Sequence, residues 1–263
     1  MKVLDKKYWV PAVERAHLVL MEISKSPDEL RLIDLSKRLE INKSSLFSLL
    51  NTLESLGWVI KENNDTYHLG PTIGMFNSMY LSQFNLIQTF YKEAIDSVNK
   101  INEPIQLGVL DGSDVVYLGK VNAQTNVRLV TDPGMRFPAY ASAIGKAQMI
   151  HFSKQDLEKL FNDTEWVKKT DHTTANIDEL YDKVRLAKAN GYSIENEESA
   201  LGFHCVAAPI YNFENQIIAA VSFSMPTDSW TKKFSDAKEE ILNLAAKLSK
   251  LAGSSYNSKE NNL

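Results

Sequence analysis

The most reactive side chain in this 263-residue sequence is its single cysteine, Cys205, which follows His204 directly. A thiol becomes a nucleophile only with a base in hydrogen-bond reach, and neighbours along a strand point to opposite faces. The pair therefore cannot act together, and nothing in the spacing of His68, His151 or His172 brings them to Cys205. One cysteine can form neither an internal disulfide nor a thiolate metal site, and no two histidines stand four apart. No catalytic residue, metal or cofactor is expected.

Residues 43–56 carry another kind of chemistry. At about 100° per residue on a helix, Leu46, Leu49, Leu50 and Leu53 share one side. The opposite side holds Ser44, Phe47, Ser48, Asn51 and Ser55, and no acid occurs between Glu40 and Glu54. A side without carboxylates and with small polar groups suits the DNA major groove. Serine bonds phosphate or base edges, asparagine bonds adenine, and a phenyl ring touches a thymine methyl. Lys43, at the helix start, is placed for a phosphate, and Ser45 lies beside it. The same side would also serve as ordinary solvated surface; the exposed Phe47 and the neighbouring elements favour DNA.

A third set has the chemistry of a ligand pocket. In a strand over 220–225, Ala220, Ser222 and Ser224 share a face, with Val221, Phe223 and Met225 on the core side. The two hydroxyls would stand about 7 Å apart. Ala143-Ile144-Gly145 opens a helix whose free N–H groups suit a carboxylate. Ser222 and Ser224 could equally be plain outward strand residues.

The elements that must position these groups follow from periodicity. Val13, Ala16, Leu20 and Ile23 mark a helix over 10–24, with Pro11 in its first turn. Leu32, Leu35 and Leu39 mark a second. Asn42 can cap the third, and Gly57 ends it. Residues 58–61 and 66–69 then read as a hairpin around Glu62-Asn63-Asn64-Asp65, whose tip adds Asn63 and Asn64 to the DNA-facing set. Three helices and a hairpin make a winged helix-turn-helix over 9–70. A connecting helix over 71–100, bent near Asn85, leads to a mixed α/β domain over 101–253. There, strands are expected at 105–110, 115–121, 126–130, 192–195, 204–211 and 216–225. Helices are expected at 142–151, 154–161, 177–190 and 231–251, and a disordered tail at 254–263. The fold class is thus α+β with two domains.

Composition sets the outer limits. The sequence is 44% hydrophobic and 24% charged, as in ordinary globular proteins. No stretch nears 18 apolar residues and no signal-peptide core is visible, so a cytoplasmic protein away from membranes is expected. The net charge is −4. Residues 1–70 hold ten basic and ten acidic side chains, so the acidic excess lies wholly downstream. A neutral DNA-binding unit needs short-range contacts and several copies to bind well.

With these residues in hand, the sequence resembles the IclR family of bacterial transcription regulators from about residue 9 to 252. The resemblance rests on Val13-Glu14-Arg15-Ala16, Leu35-Ser36-Lys37-Arg38-Leu39, Lys43-Ser44-Ser45, the run from Leu49 to Gly57, and Tyr67-His68-Leu69-Gly70. Downstream it rests on Leu110-Asp111-Gly112, Val115-Val116-Tyr117-Leu118, Ala141 to Ala147, Glu197-Glu198 and Gly202 to Pro209. The resemblance implies a GAF-like effector-binding domain and a homodimer through the N-terminal domains, often paired into a homotetramer. It implies a double-stranded DNA operator, a repressor's action and a small anionic metabolite as effector. It also adds Leu129, Glu195 and Cys205 to the effector set. Glu195 would accept from ligand hydroxyls, which favours a polyhydroxylated acid such as a keto-deoxy sugar acid.

Three departures stand out. Phe47-Ser48 replaces an arginine common in the recognition helix, Tyr140 replaces a frequent histidine at the pocket, and His204 replaces an arginine before the cysteine. The first leaves room for a metabolite sensor that works through protein partners without DNA; a cysteine-dependent enzyme ranks last.

Overall fold

The computed structural model describes residues 9–124 and 131–254, with the backbone alone for 81–83. The strand expected at 126–130, with Leu129, and nearly all of the expected tail lie outside the described residues. The chain divides into two compact units, Met1–Gln83 and Phe84–Leu263.

The first unit holds α1 (Pro11–Lys25), α2 (Leu32–Arg38), α3 (Lys43–Ser55), β1 (Val59–Lys61), β2 (Tyr67–Leu69) and α4 (Pro71–Gln83). Its small core is the predicted leucine side of α3 closed by α1, α2 and the hairpin. Leu46 and Leu50 are fully buried among Val19, Ile23, Leu35, Val59 and Tyr67. The turn from α2 to α3 is made at Glu40, whose φ of +54° reverses the chain. The Ser36 hydroxyl closes it by donating to the Ile41 carbonyl at 2.7 Å. The hairpin pairs Val59 with Leu69 and Lys61 with Tyr67. A bridge from Arg31 to Thr66 ties it to the start of α2.

The single connecting helix expected over 71–100 is instead two helices, α4 and α5 (Leu86–Ile101). Asn85 separates them because its side chain accepts the Gln88 N–H at 3.0 Å and so caps a new helix.

The second unit is one six-stranded antiparallel sheet with helices on both faces. Its strands are β3 (Ile105–Asp111), β4 (Asp114–Val121), β5 (Arg136–Pro138), β6 (Ser193–Asn196), β7 (Phe203–Tyr211) and β8 (Ile217–Pro226), in the order β5-β4-β3-β8-β7-β6. On one face α5 and α9 (Thr227–Leu251) bury Phe90, Val98, Val221, Phe223 and Met225. On the other lie α6 (Ala143–Gln148), α7 (Lys154–Leu160) and α8 (Ile177–Asn190), packed on Tyr140, Ile144, Ala207 and Ala220. Strand β5 has no alternating pattern to announce it. It is held by Arg136, which bonds Asp111 at 2.6 Å and Asp114 at 3.1 Å. No helix among the described residues is long and apolar enough to cross a membrane.

Candidate DNA-reading face and ligand cavity

Helix α3 presents the side expected of it. Lys43, Ser44, Ser45, Phe47, Ser48 and Asn51 are all exposed, Phe47 by 53%. The side chain of Asn42 caps the helix, accepting the Ser44 N–H at 2.9 Å and the Ser44 hydroxyl at 2.7 Å. The Ser48 hydroxyl donates back to the Ser44 carbonyl at 3.2 Å, and Ser55 to Asn51 at 2.8 Å. These hydroxyls meet an incoming group first as acceptors. Lys43, Ser45 and Asn51 make no side-chain hydrogen bond or ion pair among the described residues, so both halves of the Asn51 amide are available to a base edge. Lys37, on the exposed side of α2, is in the same state and was absent from the expected set; its outward position was the only signal.

The wing is less suited to DNA than its asparagines suggest. The Asn64 side-chain oxygen accepts from the Thr66 hydroxyl at 2.6 Å and holds the turn, while Asn63 stays exposed. Lys61 is paired with Asp65 at 2.6 Å. Glu62 faces His68 at 2.9 Å, with Asp28 close by. The Leu69 carbonyl and Glu62 hold the His68 ring above its ordinary pKa. The wing tip thus gathers carboxylates, which repel phosphate.

In the second unit, residues of β4, β5, β6, β7, β8 and the start of α6 line a cavity of about 340 Å³. Strand register explains its lining. Glu195 lies opposite Cys205, Cys205 opposite Ser224, and Ser222 opposite both Ala207 and Gln106. Cross-strand partners share a face, so these polar groups converge. Ser222 and Ser224 donate to the Gln106 side-chain oxygen at 3.2 and 3.1 Å, and the Cys205 sulfur lies 3.2 Å from the Ser224 hydroxyl. Gln106 organises the pair from behind. It is missing from the expected set because the pairing of β3 with β8 joins residues 116 apart. Glu195 is fully buried; one of its carboxylate oxygens accepts the Ser199 N–H at 2.8 Å. The other, Oε2, has no partner, and neither do Gln106 Nε2 and Thr131 Oγ1.

Ala143 and Ile144 line the cavity, as do Tyr117, Ser199 and Phe203, which sequence reasoning missed. Two expected residues do not line it. The Gly145 N–H is taken by the Ser142 hydroxyl at 2.9 Å. The glycine itself lies against the Ala139 backbone, where a Cβ would meet the carbonyl oxygen at 2.2 Å. Close approach, not ligand contact, requires glycine there. Tyr140 packs between Phe161 and Trp166, and its hydroxyl exchanges hydrogen bonds with the Val167 backbone at 2.9 and 3.1 Å. It supports α6 from behind.

Next to the cavity sits a buried charge cluster. Lys146, fully enclosed, pairs with Glu198, which also accepts from Thr174 at 2.6 Å and Lys183 at 2.9 Å. Burial alone would raise the Glu198 carboxyl, but Lys146 and these donors outweigh it and hold it below the ordinary value. The carboxylate anchors the segment that brings Ser199 to the cavity.

Nothing here is poised for catalysis. Burial, then the nearby Glu195, pushes the Cys205 thiol well above its ordinary range, so it stays protonated. His204 faces away, stacked on Trp230 with ring centroids 5.2 Å apart. Its nitrogens face Asn196 at 3.2 Å and Thr227 at 3.1 Å. His151 is turned to Tyr211.

A winged helix-turn-helix with an acid-free exposed helix, carried on one chain with an α/β unit that holds a cavity with several polar groups in its lining, defines a DNA-binding regulator. The comparisons agree. The model of the bacterial transcriptional regulator IclR C-terminal domain matches residues 78–250, and that of the IclR helix-turn-helix domain matches residues 12–62. The chain belongs to the IclR family of transcription regulators. It is 28% identical over 220 residues to the HTH-type transcriptional regulator KdgR of Dickeya chrysanthemi, covering 83% of this chain and 72% of that one. It is 29% identical over 219 residues to XynR of Escherichia coli K12, covering 83% and 87%. The crystal structure of the Agobacterium tumefaciens repressor BlcR superposes with a TM-score of 0.80 at 26% identity, over 96% of this chain and all of that one. The protein is a DNA-binding transcription regulator, not an enzyme.

Proposed function

We propose that this regulator is a homodimeric repressor that reads its operator with α3 and is released by a small acid bound in the cavity of the second unit. The observation that carries the effector half is the convergence of Ser222, Ser224 and Glu195, which has one buried oxygen without a partner, on the lining of one cavity. Enclosed polar atoms without partners are costly unless a ligand satisfies them. The repressor reading draws on the likeness to BlcR, a repressor. A dimer is supported by two apolar stripes exposed on the first unit: Val10, Val13 and Met21 along α1, and Met75, Phe76 and Met79 along α4. Patches of this kind mark interfaces, and a two-fold pair of α3 helices would match a palindromic operator.

The test is binding to the DNA upstream of its own gene, read by gel shift with and without candidate acids. Asn51→Ala is expected to weaken specific binding by about 1–3 kcal/mol while leaving the melting curve in place. Lys43→Ala is expected to weaken all DNA alike and to flatten the salt dependence. Unaltered affinity in the Asn51 variant would remove that residue from the interface. If no DNA is shifted, the chain acts through protein partners instead.

Ser222→Ala combined with Ser224→Ala removes two hydroxyl acceptors from the cavity and is expected to blunt release by ligand while operator binding persists. The double change also strips the Gln106 oxygen of both donors, for about 1–3 kcal/mol of stability. A melting curve on the same sample separates that loss from lost ligand contact. A full ligand response in this variant would discredit the cavity.

A further inference from the structure

The effector reading leaves an electrostatic question, and its answer rests on that reading. Among the described residues no lysine or arginine lines the cavity. The charges beside it already balance: the buried Lys146 and the partly exposed Lys183 against Glu198 and Glu195. A carboxylate ligand would add one negative charge in a water-poor space and place it against Glu195. Burying an uncompensated charge costs more than moving a proton, so the nearest carboxyl neutralises.

We propose that Glu195 takes up one proton on Oε2 when a small monocarboxylate binds, and donates it as a hydrogen bond to the ligand's carboxylate. The geometry selects that oxygen. Oε1 is occupied by the Ser199 N–H at 2.8 Å, while Oε2 is buried without a partner. The Ser222 and Ser224 protons already go to Gln106, so neither serine is a free donor to the anion. The proton comes from solvent, and the ligand's anion with the neutral acid restores the balance of the cluster.

The groups facing Glu195 agree with this. They are Cys205 on β7, Tyr117 on β4, Lys146 on α6 and Glu198 in the following segment. Burial keeps the thiol and the phenol neutral, leaving Lys146 as the one facing cation among the described residues, already paired with Glu198. Burial also lifts the Glu195 carboxyl above the usual carboxylate range, against the pull of the Ser199 N–H, Lys146 and the Cys205 thiol.

The test is calorimetry on the full chain at pH 8, titrating gluconate, pyruvate and lactate, with erythritol as an uncharged polyol. Each titration is run in two buffers of different ionisation enthalpy. The expected result is uptake of about one proton per acid bound, with affinity falling roughly tenfold per pH unit on the alkaline side. Glu195→Gln, which carries a permanent donor, should bind the same acid about tenfold tighter than the parent at pH 8, with uptake near zero. Acid binding without proton uptake would overturn the proposal and leave the effector cavity standing. Weaker binding by the glutamine variant, or binding of erythritol in preference to every acid, would overturn it as well. No heat from any of the four would sink the effector reading and this inference together.

Discussion

Replacing Glu198 with alanine is expected to cost the second unit about 3–5 kcal/mol of unfolding free energy. The magnitude follows from what is left behind. Lys146 is fully enclosed, and Glu198 itself is 3% exposed. Removing the carboxylate strands a buried ammonium that has no second ion pair among the described residues. Thr174 and Lys183 lose their shared acceptor as well. Urea unfolding of the full chain is the measurement, and the transition of the α/β unit should move while that of the winged unit stays. Combining Lys146→Met with Glu198→Leu removes both charges at once and is expected to regain most of the loss, since an apolar pair avoids the desolvation cost. An alanine variant that unfolds like the parent would mean that water already reaches the pair. The sign with pH follows from the lowered Glu198 carboxyl. Its stabilisation is complete above the ordinary carboxylate value and is lost as pH falls through the lower native one.

Leu50→Ala is expected to destabilise the winged unit by about 2–5 kcal/mol and to abolish DNA binding at moderate temperature. Leu50 is wholly buried in a core drawn from only a few short elements, so a cavity there has little around it to collapse inward. The adjacent Asn51 makes the contrast. Its truncation should reduce operator affinity with the fold intact, whereas Leu50→Ala should lose affinity because the fold is lost. Cooling the Leu50 variant, or adding a stabilising osmolyte, should restore binding; persistent loss at low temperature would assign Leu50 a direct role instead. The transition of the α/β unit should be unchanged, because that unit has its own core.

Much of the architecture could be read in advance because it is encoded at short range. The 3.6-residue spacing of Leu46, Leu50 and Leu53 defines both the buried and the exposed side of α3. Strand parity alone places Ser222 and Ser224 together and away from Val221 and Phe223. The turn residues around Asn63-Asn64 announce the hairpin. The bend near Asn85 could be placed, but apolar residues recur at helical spacing on either side of it, and only the cap shows that a second helix begins there.

The candidate sites were less legible. Gly145 and Tyr140 look like ligand residues in a linear motif, yet one accommodates a backbone carbonyl and the other braces α6. Gln106 drew no notice, and the polarity of the wing depends on Asp28 meeting Glu62 and His68 from a distant loop.

The amino-acid pattern by itself determined most of the elements, the buried side of α3 and of β8, and a reading helix free of acids. Periodicity and capping act over a few residues and leave a local trace. Tertiary structure alone decided that Gln106 stands behind the two serines, that Glu195 keeps an unpartnered oxygen, and that Lys146 meets Glu198 from 52 residues away. Those facts depend on which strands become neighbours and on how much water is excluded, and neither is a property of any single stretch of chain.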